Sequence, residues 1–231
     1  MIPSYFFSYN FLTLTLTAAG LAFTPQLCYT VSCRREPVSV EVSMYVYDFD
    51  KTIFKGESST AFYRYCIPRH PLILLWLPVA GVFGLGKLLR LCDTRRWKEA
   101  FHGYLRLVPD AAELAESFWD RMGSRIPSWL PEKLPAGGLV ISASPEFLIS
   151  VQCRRLGLEY IGTRMDIRSG RISGRNCRDA EKPPRFRERY PDAVIEEFYS
   201  DSLSDTPMAE LARRAFLVSG DTVRPWPGKP Q

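Results

Sequence analysis

The stretch that decides the fold is MYVYDFDKT, residues 44–52. Its first four residues form a short apolar run, typical of a strand that is buried on both faces of a parallel sheet. The run ends at Asp48, and Asp50 follows two positions later. Two like charges at one strand end are unfavourable unless a cation or phosphate chemistry requires them. This stretch therefore predicts a buried strand with a site at its carboxyl end.

The same pattern of an apolar strand followed by a polar residue recurs along the chain. Residues 138–141, GLVI, run into Ser142, and residues 194–200, VIEEFYS, run into Asp201. Residues 215–218, AFLV, predict a further strand. Helical patterns separate these strands, and such alternation produces a parallel sheet covered on both faces. We therefore predict a Rossmann-like α/β fold with three layers.

Two of the intervening helices have readable beginnings. Ser144 is expected to cap a helix with Pro145 at its first position, and Gly157 is expected to end that helix. Asp205 or Thr206 is expected to begin a second helix, over residues 208–213. Each helix starts directly after a strand, so its N-terminus should lie at the same edge of the sheet as the polar residues.

The alternation is interrupted, which predicts a domain organisation with an insertion. A mostly helical block, residues 58–131, is expected to form a cap inserted between two parts of the catalytic core, residues 44–57 and 132–225. Residues 226–231 are interpreted as a tail. Residues 1–43 are interpreted as a poorly ordered extension, because their apolar stretch precedes its first basic residues, unlike a secretory signal. A signal or anchor, or a start site assigned too far upstream, is the alternative.

Inside the insertion, residues 71–86 carry sixteen uncharged side chains in succession. A helix that spans a membrane needs roughly 18 to 20 apolar residues. We therefore favour a buried helical hairpin for this segment, with shallow membrane contact as the alternative.

Composition narrows the class of protein. With 46% hydrophobic and 24% charged residues, the chain is ordinary for a globular protein, and its net charge of +5 comes from scattered basic residues. We therefore expect no nucleic-acid partner. The six cysteines form no C-x-x-C pair, which predicts reduced, mostly buried thiols and a cytoplasmic protein, with membrane association as the alternative.

Four motifs together resemble the haloacid dehalogenase superfamily of phosphatases. DFDKT at 48–52 is similar to its D-x-D-x-T signature, and Ser142, Lys182 and the DSLSD segment at 201–205 follow in the family's order. The helical block between the first two motifs resembles subfamily IB, the subgroup that contains phosphoserine phosphatase. The resemblance covers roughly residues 44–225.

The resemblance implies a role for each motif residue. Asp48 would be the nucleophile that forms a phospho-aspartate, and Asp50 the general acid and then base. Ser142 and Lys182 would hold the phosphoryl group, with Thr52 beside them or orienting the loop.

The resemblance also implies a Mg²⁺ cofactor. Its ligands would be Asp48, the backbone carbonyl of Asp50, and Asp201, while Asp205 ligates through water or orients the nucleophile. Oxygen ligands of this kind are those that Mg²⁺ prefers.

The function that we predict is Mg²⁺-dependent hydrolysis of a small-molecule phosphate monoester. The substrate would be phosphoserine-like, or an apolar or lipid phosphate, since residues 72–77 of the cap are strongly apolar. Three alternatives stay open. These are a phosphotransferase on the same fold, a metal-dependent glycosyltransferase that uses Asp48 and Asp50, and a non-catalytic binding protein.

Overall fold

A six-stranded sheet in the order β3-β2-β1-β4-β5-β6 organises the fold in the computed structural model, which describes residues 43–130, 134 and 138–229. Its strands are β1 (Ser43–Tyr47), β2 (Gly138–Pro145), β3 (Glu159–Thr163), β4 (Val194–Ser200), β5 (Ala212–Ser219) and β6 (Thr222–Pro225). Strands β1 to β5 pair in parallel, and β6 is antiparallel to β5. The predicted N-terminal extension lies outside the described residues, apart from Ser43, which begins β1.

Helices connect the strands. The α-helices are α1 (Ser58–Cys66), α2 (Leu77–Leu88), α3 (Thr94–His102), α4 (Ala111–Met122), α5 (Glu146–Arg155), α6 (Lys182–Arg189) and α7 (Thr206–Leu211). Short 3₁₀ helices span Pro71–Trp76, Gly103–Leu107, Asp179–Glu181 and Leu203–Asp205. Helices α1 to α4 all lie between β1 and β2 in the chain.

The sheet separates two hydrophobic clusters because side chains alternate along its strands. In β1, Met44 and Val46 belong to one cluster, whereas Tyr47 belongs to the other. In β2, Leu139 and Val140 divide in the same way. Both faces of the sheet are thus buried, and the predicted three-layer α/β fold is confirmed.

Two of the inserted helices, α1 and α4, pack against each other and against α5. Phe62 of α1 contacts Phe118 of α4, with ring centroids 5.6 Å apart. Trp119 of α4 donates its indole N–H to the carbonyl of Leu148 at 2.7 Å. These residues share one cluster with Phe49, just after β1. The hydrophobic packing therefore continues across the predicted boundary at residue 58. The domain boundaries at residues 58 and 131 stay predictions.

Three local expectations differ from the structure. Strand β2 continues through Pro145 and α5 begins at Glu146, so Ser144 does not cap that helix. Helix α7 ends at Leu211, because β5 already begins at Ala212. Trp226, placed in the predicted tail, is buried and contacts Phe198 in the core.

The predicted burial of the apolar segment is wrong. No side chain of α2 is buried, although α2 and α3 do pack against each other as a hairpin. By length and composition alone, the 18 residues Pro71–Leu88 could cross a membrane, and 6% of this segment is buried.

Four of the six cysteines lie in the part of the chain that the structure describes. All four are free, and Cys66, Cys153 and Cys177 are buried while Cys92 is partly exposed. The other two cysteines of the chain lie outside the described residues.

Candidate active site

A tight loop after β1 presents the first two aspartates to one cleft. The Phe49 carbonyl accepts hydrogen bonds from the backbone N–H groups of Ile53 and Phe54, both at 3.1 Å. The Phe49 ring is fully buried against Trp119, with centroids 5.5 Å apart. Because neighbouring side chains point to opposite sides, burying Phe49 turns Asp48 and Asp50 away from the core. Both aspartates line a cleft of about 430 Å³.

A buried ion-pair triad lies at the bottom of this cleft. The Lys182 ammonium donates to Asp48 Oδ1 at 2.6 Å and to Asp205 Oδ2 at 2.7 Å. Asp205 Oδ2 also accepts a hydrogen bond from the Ser200 hydroxyl at 2.7 Å. Lys182 begins α6 and Asp205 precedes α7, so the triad joins two helices to the end of β1. One cation is thereby shared between two carboxylates.

The triad shifts the pKa values of its members. Burial raises the pKa of Asp48, Lys182 opposes that shift, and the neighbouring Asp205 adds to it, with a net pKa of about 7. Burial lowers the pKa of Lys182, but the two carboxylates outweigh burial, so its net shift is upward. Lys182 therefore remains a cation at neutral pH.

Asp50 is held by two serines from different elements. Its Oδ2 accepts the Ser144 hydroxyl at 2.6 Å, and its Oδ1 accepts the backbone N–H of Ser58 at 2.8 Å. Burial raises the pKa of Asp50, and these hydrogen bonds oppose the shift. This explains why Ser144 caps no helix, since its hydroxyl is bound to a carboxylate that lies 94 positions away in the chain.

The other predicted site residues divide into two groups. Ser142 and Asp201 line the cleft with Asp48, Asp50, Lys182 and Asp205. Ser142 Oγ accepts the backbone N–H of Ser144 at 3.1 Å, which leaves its hydroxyl hydrogen available for another acceptor. Thr52 does not line the cleft. Its hydroxyl is buried and has no hydrogen-bond partner among the described residues, so the structure gives it no contact with a phosphate there.

The predicted metal ligands are not assembled as a cluster. Within the described ranges, no three His, Cys, Asp or Glu side chains form a group that could hold a metal ion. Lys182 engages one oxygen each of Asp48 and Asp205. The remaining carboxylate oxygens, together with Asp201, still line the same cleft, and burial and neighbouring carboxylates raise the pKa of Asp201. Crowded oxygen donors of this kind fit a hard divalent cation such as Mg²⁺.

The outer wall of the cleft comes from the inserted hairpin, and its lining residues were not predicted from the sequence. Lys98 on α3 donates to the Ala143 carbonyl at 2.5 Å and to Asn176 Oδ1 at 2.8 Å. Burial lowers the pKa of Lys98 to about 8. Lys87 lies over the Trp97 ring, 4.6 Å from its centroid, and both residues line the cleft. A single lysine on an amphipathic helix resembles any solvated lysine, so only the fold reveals these positions.

Next to Lys98, a buried histidine also lines the wall. His102 Nδ1 is 2.9 Å from the Lys98 carbonyl, to which it donates as the N–H tautomer, since a carbonyl only accepts. Its Nε2 is buried and has no hydrogen-bond partner in the described part of the chain. Burial lowers the pKa of His102 to about 4, so the imidazole is neutral at physiological pH.

An open parallel sheet with carboxylates at the ends of neighbouring strands defines an α/β enzyme whose site lies at the carboxyl edge of the sheet. Residues 45–210 match the model of the haloacid dehalogenase-like hydrolase family. The chain belongs to this family, and the prediction of a haloacid dehalogenase-type hydrolase is confirmed.

Solved structures resemble this one at low sequence identity. A protein of unknown function from Bordetella pertussis Tohama I is 18% identical with a TM-score of 0.61, and the match covers 76% of this chain and 89% of that one. A HAD family hydrolase from Salmonella enterica subsp. enterica serovar Typhi is 18% identical with a TM-score of 0.53, covering 74% and 61%. Phosphoserine phosphatase in its apo form is 16% identical with a TM-score of 0.46, covering 76% and 84%. No curated protein matches the chain.

Proposed function

We propose that this hydrolase acts on phosphate monoesters through a phospho-aspartate on Asp48. The observation that carries the proposal is the placement of Asp48 and Asp50 in one cleft, with the Lys182 ammonium 2.6 Å from the first carboxylate. A carboxylate next to a fixed cation suits attack on an anionic phosphoryl group, because the cation offsets the repulsion between them. A second carboxyl in the same cleft supplies the proton transfer that ester cleavage requires.

In the first step, an Asp48 oxygen forms a bond to phosphorus while the bond from phosphorus to the ester oxygen breaks. Asp50 gives its proton to the leaving alkoxide, and burial favours the protonated form that this step needs. Ser142 and Lys182 hold the phosphoryl oxygens. In the second step, Asp50 takes a proton from water as that water attacks phosphorus, which releases inorganic phosphate and restores the Asp48 carboxylate.

A divalent cation belongs to this proposal as a cofactor. Asp48, Asp201 and the Asp50 carbonyl would hold Mg²⁺, with Asp205 orienting Lys182. When bound, Mg²⁺ supplies positive charge that offsets the charge on the phosphoryl group.

The substrate class follows from the wall of the cleft. Lys87, Lys98 and Arg178 add positive charge there, while Trp97 and Phe101 add aromatic surface. A cleft of about 430 Å³ is within the usual range for small-molecule sites. We propose a monoester whose organic group contacts the two aromatic rings. Phosphoserine-like compounds and apolar phosphates both satisfy this description.

The test is phosphate release from p-nitrophenyl phosphate by wild type and by Asp48→Asn, each with and without Mg²⁺. Asp192→Asn makes the same chemical change at an exposed position and serves as the matched control. We expect Mg²⁺-dependent turnover in wild type and the control, and a loss of about a thousandfold or more in Asp48→Asn. Comparison of phosphate release across a panel of monoesters, including phosphoserine and lipid phosphates, would then identify the substrate.

A direct test of the intermediate is mass spectrometry of acid-quenched enzyme. We expect an added phosphoryl group on the peptide that contains Asp48, sensitive to hydroxylamine as an acyl phosphate. If folded protein with Mg²⁺ releases no phosphate from any monoester, or if Asp48→Asn retains activity like that of the control, the proposal fails.

A further inference from the structure

A row of aliphatic side chains stands on the outer side of the inserted hairpin. We call this row the apolar ridge, and we define it by Leu72, Leu75, Val82, Leu85, Leu88 and Leu91. Each is at least 57% exposed, and Leu88 is 79% exposed. Single exposed leucines are ordinary on protein surfaces, but a contiguous apolar row marks a surface that binds something.

The ridge is exposed although its base is firmly attached to the protein. Ile73 is fully buried, and the Trp76 indole N–H donates to the Ala100 carbonyl at 2.6 Å. Further along, Gly84 lies against the Trp97 ring, where an added Cβ would be 3.2 Å from Nε1. The inner side of the hairpin is thus fixed to the molecule. A segment held in this way lies along a surface, because crossing a bilayer would require it to separate from these contacts.

Basic residues flank the ridge. Arg90 and Arg96 are exposed and have no ion-pair partner among the described residues, and Arg106 lies over the Trp76 ring. Two acidic residues lie close to these arginines in the chain. Asp93 caps α3 by accepting the Arg96 N–H at 2.7 Å, and Glu99 pairs with Arg95 at 3.3 Å. The three arginines outnumber the Asp93 carboxylate, so net positive charge beside the ridge is available for an anionic partner.

We propose that the apolar ridge docks on the surface of an anionic lipid bilayer, with its leucines in the headgroup boundary and its arginines at lipid phosphates. Aliphatic side chains beside unpaired basic residues are the features that bind such surfaces. A second copy of this chain is a poorer occupant, because pairing of two ridges would bring the same unpaired arginines together. The proposal is independent of the proposed catalytic function.

Docking would also orient the cleft. Trp97 and Lys87 belong to the hairpin and line the cleft at the same time. A bilayer bound to the ridge would therefore lie next to the cleft wall.

The first experiment is flotation of the full chain with vesicles of phosphatidylcholine, with and without phosphatidylserine. We expect binding that requires the anionic lipid and weakens as salt is added. The double variant Leu75→Ser/Leu88→Ser should lose about tenfold or more in partition coefficient, while Leu75→Met/Leu88→Met, which keeps the apolar surface, should bind like wild type. Arg90→Glu/Arg96→Glu should lose about tenfold or more, whereas Arg224→Glu, on β6, should not.

Hydrogen exchange of backbone amides locates the contact. We expect vesicles to protect residues 74–91, which separates docking by the ridge from binding through any other segment. Vesicle binding without protection of residues 74–91, or binding that the serine variant retains, would overturn the proposal. So would self-association in light scattering that the serine variant abolishes, because the occupant would then be a second copy. Phosphatase activity is not a readout here, so this result and the test of catalysis fail separately.

Discussion

Removing the cation of the buried triad should destabilise the protein strongly, and Lys182→Met is the change that does so with little loss of volume. The Lys182 ammonium lies 2.6 Å from Asp48 and 2.7 Å from Asp205, and the three side chains are 3%, 11% and 5% exposed. Breaking a buried ion pair by removing one partner costs about 3–5 kcal/mol. Because the pKa of Asp48 is already raised to about 7, this carboxyl takes up a proton readily, which limits the cost to about 3 kcal/mol.

The expected loss depends on pH in a defined direction. The folded-state pKa of Lys182 is raised, so its contribution to stability is fully present below its unfolded pKa and is constant between pH 5 and 8. In the variant, the pKa of Asp48 rises further above its unfolded value. A raised carboxyl pKa destabilises the folded state as pH increases. The deficit of Lys182→Met should therefore be largest at pH 8 and shrink toward pH 5.

The assay is thermal and urea unfolding of wild type, Lys182→Met and Lys182→Met/Asp205→Asn without added metal. For a protein of this size, 1 kcal/mol shifts Tm by about 2–4 °C, so the single variant should lose roughly 6–12 °C at pH 8. The double variant should recover part of that loss, because it leaves only one buried carboxylate without a partner. A Tm within about 2 °C of wild type at pH 8, or no recovery in the double variant, would refute the assignment of a buried triad.

Three further predictions test the surroundings of the site. Ser144→Ala removes a hydrogen-bond donor to the Asp50 carboxylate, so the pKa of Asp50 should rise. The limb of the pH–rate profile that reports Asp50 should move to higher pH, and kcat should fall about tenfold. An unchanged profile would contradict this prediction. Lys98 loses its charge as pH rises through about 8, so the KM of the wild type should increase there. Lys98→Met should show a high KM that stays constant from pH 7 to 9. A parallel rise of KM in both proteins would exclude Lys98 as the cause. Gly170 has φ +70°, and Gly170→Ala would place a Cβ 2.3 Å from the His102 carbonyl oxygen. Urea unfolding should therefore show a free energy of unfolding lower by about 1–3 kcal/mol. An unchanged midpoint would show that the backbone shifts to accept the methyl group.

The sequence predicted the central strands well because they are buried on both faces. Strand β4 begins at Val194 and ends at Ser200, as predicted, and β1 differs by one residue. Strand β2 begins at Gly138 as predicted but extends through Pro145 instead of ending before Ser142. The sequence did not indicate the edge strands β3 and β6, which are short and partly exposed, so their patterns are weaker.

The site was predictable where strand ends alone fix it, and unpredictable where contacts come from distant elements. Asp48 and Asp201 follow β1 and β4, and Ser142 lies in the C-terminal half of the neighbouring β2, so parallel pairing brings the three residues to one edge. Ser144 has the local pattern of a helix cap, but its hydroxyl binds Asp50 because that tertiary contact outweighs the local preference. Lys98 approaches Ala143 only through the packing of the inserted hairpin, which no local pattern specifies.

The apolar segment shows a limit of a different kind. Hydropathy states how apolar a segment is but not what covers it, and an inserted hairpin has one side against the protein and another side free. Here Ile73 and Trp76 occupy the inner side, so the remaining leucines have no protein surface to bury them among the described residues. Because α3 carries Lys98 into the cleft and packs against α2, the apolar ridge and one wall of the cleft belong to the same hairpin.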